Sequence, residues 1–168
     1  MENNTVADNL YHLDIVRGYS KLNDSLLDYL KPKLEGYVLD IGGNGGALLL
    51  EYKGKGVCLD ASSNLVAVAK SRGLEAVHGD ACNLPFKDKT FDTVVLSCVL
   101  EQIEDYDKAL KEAIRVCKGK VIGINPIPGS RWGVIGGYVK SIIHPAIMLV
   151  NYKAKIKVID DERYFFCI

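Results

Sequence analysis

The chain has 168 residues, and its 21 Lys and Arg balance its 21 Asp and Glu, so the formal net charge at pH 7 is zero. Apolar residues make up 48% and charged residues 25%, proportions that fit a folded domain with one core and exclude a mainly disordered chain. The balanced charge also disfavours a protein that binds nucleic acid through a general basic surface.

The first part of the chain is predicted to be helical. Residues 10–34 place apolar side chains at helical spacing, which predicts one or two amphipathic helices. We expect them to end near Lys31–Pro32, because a residue before proline avoids the helical conformation.

Short apolar runs and helical patterns then alternate along the chain. The runs predict five strands, at 37–41, 57–60, 75–80, 91–99 and 120–126. Amphipathic patterns predict helices at 62–72 and 105–117. This alternation is typical of an α/β fold with a doubly wound, mostly parallel sheet.

The last residues have a different pattern. KAKIKVI alternates polar and apolar residues, as an edge strand does, whereas RYFFCI is almost continuously apolar, as a central strand is. Asp160, Asp161 and Glu162 separate the two runs. We therefore predict an antiparallel C-terminal hairpin with its second strand more buried than its first.

One apolar segment, residues 132–150, needs comparison with a membrane span. Lys140 and His144–Pro145 interrupt it near its middle, where charge in a bilayer is costly. We predict a buried or partly exposed helix with no transmembrane span, and we expect residues 127–150 to contribute to an apolar pocket.

The cysteines give no sign of a metal site or a disulfide framework. No two form a C-x-x-C pair, and none has zinc-binding spacing with histidine. Their odd number and the polar N-terminus, which is unlike a signal peptide, predict a cytoplasmic protein.

A glycine cluster and three aspartates are the main chemical signals. The cluster, Gly42-Gly43-Asn44-Gly45-Gly46, follows the first strand, where glycines allow a ligand to approach the backbone. Asp40, Asp60 and Asp80 are spaced by 20 residues, each at or just after a strand end. Strand ends line the ligand crevice of an open α/β sheet, so these residues could form a ligand site. A tight turn at the glycines and ordinary helix caps at the aspartates would explain the same residues more simply.

Several segments in order resemble the class I S-adenosylmethionine (SAM)-dependent methyltransferases that act on small molecules. VLDIGGNGG, GVCLDASSNLVAVAKSRGLEAVHGDACNLPF and FDTVVLSCVLEQIED carry the resemblance, which covers residues 36–126. It implies a seven-stranded Rossmann-like sheet in which the last strand inserts antiparallel between the fifth and sixth.

The resemblance also implies cofactor-binding roles. Asp40 and the glycine turn would hold the methionine and ribose parts, Asp60 the ribose hydroxyls, and Asp80 the adenine amine. The other residues implied to contact the cofactor are Gly42, Gly43, Asn44, Gly45, Gly46, Ala61, Ser62, Ala81, Ser97 and Cys98. Asn44 departs from the family pattern, which has glycine there, but asparagine tolerates positive φ better than most residues. The same departure disfavours a nicotinamide dehydrogenase, whose G-x-G-x-x-G fingerprint requires glycine at 44.

The sequence identifies no definite catalytic base. Glu101, His144 and Tyr19 are weak candidates for a base. Each also has a purely structural explanation: Glu101 as a helix-start carboxylate, His144 as a structural histidine and Tyr19 as a packing aromatic. We predict methyl transfer to a small apolar or amphipathic acceptor, with a non-catalytic SAM-binding or protein-interaction module as the alternative.

We expect a single methyltransferase domain over 1–168. It would comprise N-terminal helices (1–35), a SAM-binding core (36–126) and a final helix and hairpin (127–168). No [N/D]-P-P-aromatic motif follows the fourth strand, which argues against a nucleic-acid acceptor.

Overall fold

The computed structural model describes residues 26–127, 149–161 and 163–168. Its contacts separate two compact units, Met1–Lys33 and Leu34–Ile168. In the first unit, residues 26–30 are helical and a 3-10 turn, Lys31–Lys33, follows them. The helix thus ends where the sequence predicts. The expected helices before residue 26 and the apolar segment 128–148 lie outside the described residues.

Seven strands form one sheet in the second unit. They are β1 (Val38–Ile41), β2 (Gly56–Asp60), β3 (Glu75–His78), β4 (Phe91–Ser97), β5 (Cys117–Pro126), β6 (Lys155–Val158) and β7 (Arg163–Cys167). Their order across the sheet is β3-β2-β1-β4-β5-β7-β6. The first five strands are parallel, and β7 pairs antiparallel with both β5 and β6. The predicted seven-stranded fold and the inserted last strand are confirmed.

Helices connect the parallel strands. They are α1 (Ala47–Tyr52), α2 (Ser63–Ser71) and α3 (Tyr106–Val116), with a 3-10 turn at Leu100–Gln102. Ser62 caps α2 by accepting a hydrogen bond from the Leu65 amide at 3.4 Å, and Asp105 caps α3 through the Lys108 amide at 3.1 Å. The predicted helices at 62–72 and 105–117 therefore begin at side-chain caps.

Strand β5 begins three residues earlier than the sequence pattern predicts, directly after α3. Cys117 pairs with Phe91, and the register then shifts before Thr93 pairs with Lys120. Lys118 and Gly119 fall at this irregularity, and because neither is apolar, the apolar-run pattern begins only after them.

The core lies at the centre of the sheet. All four residues of β1 are buried, and the side chains of Val94, Leu96 and Phe166 are fully enclosed. Every residue of β6 is exposed, as expected of an edge strand, whereas Tyr164 and Phe166 of β7 are buried. Within the part of the chain that the structure describes, no helix is long and apolar enough to cross a membrane.

Candidate cofactor-binding site

The candidate site lies at the carboxyl ends of the parallel strands. Strands β1 and β4 are neighbours, and the chain builds the sheet outward from this pair in both directions, so a topological switch point lies between them. Asp40 is in β1, Asp60 ends β2, Asp80 follows β3 and Ser97 ends β4. The fold therefore brings the predicted residues to one edge of the sheet.

Backbone hydrogen bonds place the glycine turn at the end of β2. The Gly42 amide donates to the Leu59 carbonyl at 2.7 Å, and the Gly46 amide donates to the Gly43 carbonyl at 2.9 Å. A Cβ atom at Gly43 would lie 2.6 Å from Asp40 Oδ2, closer than real Cβ contacts allow. Glycine at 43 is thus required for the turn to approach the Asp40 carboxylate.

Asn44 has the left-handed conformation that a glycine would otherwise supply. Its φ is 52°, and its side chain Nδ2 donates to the Gly42 carbonyl at 3.4 Å. Its backbone amide donates to Asp60 Oδ2 at 3.0 Å. The departure from the family pattern is therefore compatible with the turn, because asparagine occupies positive φ at modest cost.

The Asp60 carboxylate is buried and held on both oxygens. The Ser62 amide donates to Oδ1 at 2.9 Å, and the Asn44 amide donates to Oδ2 at 3.0 Å. Burial raises the pKa of Asp60, while backbone hydrogen bonds from Ser62, Asn44 and Ala61 partly oppose that rise. Each oxygen keeps further acceptor capacity, so the fixed carboxylate can still receive ligand hydroxyls.

Asp40 is the most unusual group of the site. Its side chain is buried, and within the described residues no donor makes a hydrogen bond to its carboxylate. Burial, and secondarily the nearby charge of Asp60, raise the pKa of Asp40 to about 7. A buried carboxylate beside a second carboxylate fits a ligand that brings positive charge or hydrogen-bond donors.

The loops after β2 and β3 are tied together. His78 Nε2 lies 3.0 Å from the Ala61 carbonyl oxygen, and the Gly79 amide donates to the Asp60 carbonyl at 3.0 Å. Asp80 is exposed, and its Oδ1 accepts from the Cys82 amide at 2.8 Å. Asp80 is thus exposed, unlike the buried Asp40 and Asp60, whereas the adjacent half-buried Ala81 packs against the hydrophobic core.

Ser97 and Cys98 lie at the end of β4. Cys98 has a φ of 54°, and its amide donates to the Ile124 carbonyl at 2.7 Å. Burial, with a further contribution from Glu101, raises the pKa of the Cys98 thiol to about 12. The neutral thiol is a poor nucleophile, so Cys98 contributes packing and not covalent chemistry.

Of the three catalytic candidates, the structure describes only Glu101. It lies in the 3-10 turn after β4 and is 7% exposed, and burial raises its pKa to about 7. His144 and Tyr19 lie outside the described residues. Asn125 and Tyr164, which contact each other beside Glu101, were not singled out from the sequence. Their only signal was a polar residue near the end of an apolar run and a tyrosine in RYFFCI.

The described residues contain no group of three or more His, Cys, Asp or Glu that could hold a metal ion.

Comparison with known proteins assigns the family. A family model described as "Methyltransferase domain" matches residues 39–122, which is half of the chain. The chain belongs to this family of SAM-dependent methyltransferase domains, and SAM is the cofactor that the family implies.

Curated relatives match about half of the chain. Demethylmenaquinone methyltransferases of Bacillus cereus (strain B4264) and Bacillus anthracis (strain A0248) are each 38% identical to it over 96 residues. The match covers 52% of this chain and 40% of each relative. The chain therefore matches less than half the length of these curated relatives.

Solved structures share the fold over a longer range. A Thermotoga maritima SAM-dependent methyltransferase, described as a possible histamine N-methyltransferase, superposes with a TM-score of 0.71 at 21% identity and covers 96% of this chain and 94% of its own. The [4+2]-cyclase SpnF superposes with a TM-score of 0.61 at 21% identity, covering 79% of this chain and 58% of its own. Such distant likenesses establish the fold and leave the reaction open.

The residues present fit SAM chemically. The cofactor carries an ammonium group, a sulfonium and two ribose hydroxyls. The buried Asp40 carboxylate lacks a hydrogen-bond donor among the described residues, and Asp60 is a rigid acceptor close to it. A cationic, hydroxyl-bearing ligand would compensate both carboxylates.

Proposed function

We propose that this chain is a SAM-dependent methyltransferase that acts on a small-molecule acceptor. The observation that carries the proposal is the buried pair of Asp40 and Asp60 beneath a glycine turn whose Asn44 amide fixes Asp60. The resemblance of the motifs and the family membership support the same conclusion.

The residues of the site divide the work of holding the cofactor. Asp60 would accept hydrogen bonds from the ribose hydroxyls, and Asp40 would offset positive charge at the methionine end. The glycine turn would allow close approach of the ligand to the backbone, with Ala61, Ser62, Ala81 and Asp80 around the adenine and Ser97 near the methionine end. Bound SAM supplies an activated methyl group, so the chain's own contribution is mainly to position the acceptor and exclude water.

The acceptor is proposed to be apolar or amphipathic. The segment 132–150 is strongly apolar in sequence, and the curated relatives carry a name that denotes methylation of demethylmenaquinone, an apolar quinone. The alternative is a non-catalytic SAM-binding module, in keeping with the presence of SpnF, a cyclase, among proteins of this fold. Binding of SAM without turnover would distinguish this alternative.

A turnover assay tests the proposal. The wild-type chain is incubated with methyl-labelled SAM and either 1,4-dihydroxynaphthalene, a soluble quinol, or histamine, and labelled product and S-adenosylhomocysteine are quantified. We expect the quinol to increase S-adenosylhomocysteine release and to acquire the label.

Two variants serve as controls for this assay. Asp60→Asn should reduce turnover at subsaturating SAM, whereas Glu104→Gln, an exposed carboxylate outside the site, should match wild type. Release of S-adenosylhomocysteine that is equally slow with and without either acceptor would contradict methyl transfer to these classes.

A further inference from the structure

A second polar cluster lies on the other side of the switch point from Asp40 and Asp60. It consists of Glu101 after β4, Asn125 in β5 and Tyr164 in β7. Asn125 and Tyr164 are directly opposite each other in the antiparallel register. Because β7 runs antiparallel to β5, its first residues reach the same edge of the sheet at which β4 and β5 end.

The three side chains form a directed hydrogen-bond chain. Only one of the two orientations of the Asn125 side-chain amide gives all of its polar neighbours a suitable hydrogen-bond partner. In it, Nδ2 donates to Glu101 Oε2 at 3.2 Å and to the Ile124 carbonyl at 2.9 Å. In that orientation Asn125 Oδ1 accepts from the Tyr164 hydroxyl at 3.3 Å. Tyr164 thus orients Asn125, and Asn125 orients the Glu101 carboxyl.

Burial of this cluster is costly and is not needed to complete the sheet. Glu101 is 7% exposed, Tyr164 is 3% exposed and Asn125 is fully enclosed. Apolar residues of similar size would pack at the same positions without the desolvation cost of a carboxyl group. A buried carboxyl that is oriented in this way and lies beside a ligand crevice is typical of a functional group.

The cluster adjoins the strand end that is expected to contact the cofactor. Burial raises the pKa of both Cys98, at the end of β4, and Tyr164, and the nearby charge of Glu101 adds to each rise, so the three groups lie close together. Arg163 is also nearby, and its positive charge lowers the pKa of the Cys98 thiol. Glu101 therefore lies at the β4–β5 side of the crevice, away from the Asp60 side assigned to the ribose.

We propose that Glu101, oriented by Asn125 and Tyr164, binds an O–H or N–H group of the methyl acceptor and takes its proton during transfer. This inference rests on the proposed methyltransferase function. The acceptor atom forms a bond to the methyl carbon as that carbon's bond to sulfur breaks, and the electron pair of the broken bond stays on sulfur. The proton of the acceptor passes to Glu101 and is later released to water. Glu101 is a catalytic residue in this scheme, and Asn125 and Tyr164 are positioning residues.

The first test measures the Glu101 carboxyl directly and needs no acceptor. In the full chain labelled with carbon-13 at glutamate carboxyl groups, the Glu101 signal is assigned by its loss in Glu101→Gln and followed with pH. A midpoint near neutrality supports the proposal, because burial raises the pKa of Glu101 to about 7 and a base must exchange protons at working pH. A midpoint near about 4.3, the ordinary value of a glutamate side chain, or no titration between about pH 5 and 9, overturns it.

The second test separates catalysis from cofactor binding. Glu101→Gln keeps the shape of the side chain, so we expect SAM affinity within about twofold of wild type by calorimetry. Turnover number with 1,4-dihydroxynaphthalene should fall about 10²- to 10⁴-fold, the usual contribution of a general base. Glu101→Asp should recover part of the rate, and Tyr164→Phe should lower the turnover number less than Glu101→Gln while leaving SAM affinity unchanged.

The outcomes are distinguishable from failure of the proposed function. A turnover number of Glu101→Gln within about threefold of wild type overturns the role of Glu101 even if the chain is a methyltransferase. A wild-type chain that does not bind SAM contradicts the proposed function, whereas the carboxyl titration still reports on Glu101 itself.

Discussion

At the residue scale, the site is defined by carboxyl groups in unequal environments. Asp60 is buried but receives hydrogen bonds from the Asn44 and Ser62 amides, which favour its charged form. Asp40 is buried without such a bond among the described residues, and its pKa rises to about 7. The two aspartates look alike in sequence, and only their surroundings distinguish a fixed acceptor from a carboxyl group that titrates near neutrality.

This difference predicts that SAM affinity increases with pH. A cationic ligand binds the charged form of Asp40, and with a pKa of about 7 that form rises from about a tenth at pH 6 to about nine-tenths at pH 8. We therefore expect affinity to increase up to about tenfold across this range, with proton release on binding. Calorimetry in buffers of different ionisation enthalpy measures both quantities.

Asp40→Asn is the control for this prediction. The amide of this variant cannot ionise, so the variant should bind SAM more weakly than wild type at pH 8, and its affinity should change much less with pH. An affinity in the wild-type chain that falls between pH 6 and pH 8 would show that Asp40 does not bind the cation.

At the element scale, strands β4, β5 and β7 pack so closely around Gly123 that a side chain at this position does not fit. A Cβ atom at Gly123 in β5 would lie 2.0 Å from the Leu96 carbonyl oxygen and 2.5 Å from the Phe166 ring. The Leu96 oxygen belongs to the backbone, so relief requires a shift of the strands. Close packing here also sets the distance between Asn125 and Tyr164, which pair two residues along from Gly123 and Phe166.

Gly123→Ala should therefore destabilise the fold by about 3 kcal/mol, at the upper end of overpacking effects. Gly79→Ala is a matched control, because its Cβ would come no closer than 3.1 Å to any atom, that atom being Cδ1 at the end of the Leu59 side chain. We expect that substitution to change the unfolding free energy by less than about 1 kcal/mol. Denaturant titration compares the two, and equally small effects would show that β5 can move away from β4 and β7 without cost.

Helix α3 holds the loop that follows the Asp80 turn. Arg115 donates to the Phe86 and Leu84 carbonyls at 2.8 and 3.1 Å, and it pairs with Glu112 and Asp88 at 2.7 Å each. Glu112 in turn accepts from the Leu84 amide at 2.8 Å. One guanidinium thus connects the helix to the backbone of the loop.

Arg115→Ala should lower the unfolding free energy by about 1–3 kcal/mol, because several charge-assisted hydrogen bonds are lost together. Arg115→Lys should recover little, since an ammonium cannot reproduce the planar fork. Lys111→Ala, which removes an exposed pair with Asp107 on the same helix, should have little effect. Hydrogen exchange at the Leu84 amide checks the loop, and unchanged protection in Arg115→Ala would contradict this role.

At the scale of the whole molecule, much of the fold follows from the sequence and part of the site does not. The alternation of apolar runs and helical patterns predicts the parallel strands, and the contrast between KAKIKVI and RYFFCI predicts which hairpin strand is buried. The pattern does not predict the start of β5 at Cys117, because Lys118 and Gly119 interrupt the apolar run where the strand joins the sheet through a register shift. A local sequence pattern shows how residues alternate within one strand, whereas a register shift depends on the strand with which it pairs.

Dependence on partners distant in sequence also explains which part of the site the sequence does not predict. Asp40, Asp60 and Asp80 lie at or just after the carboxyl ends of parallel strands, which meet on one side of the sheet, so their placement is predictable from topology. Glu101 instead depends on Asn125 and Tyr164, the latter 39 residues beyond Asn125 and reached only through the antiparallel insertion of β7. The sequence favours a helix-start role for Glu101, and the structure does place it in the first turn of the 3-10 helix. The burial of its carboxyl and its contact with Asn125 are what the sequence does not show.

The account depends most on a SAM site organised by the Asp60 carboxylate, and calorimetry with SAM and S-adenosylhomocysteine tests it most directly. The wild-type chain and Glu104→Gln should bind both ligands, and Asp60→Ala should bind them at least about tenfold more weakly, as expected for loss of a fixed charged acceptor. Circular dichroism confirms that the variant is folded. The absence of binding by wild type at millimolar ligand, or equal affinity in a folded Asp60→Ala, would contradict the account.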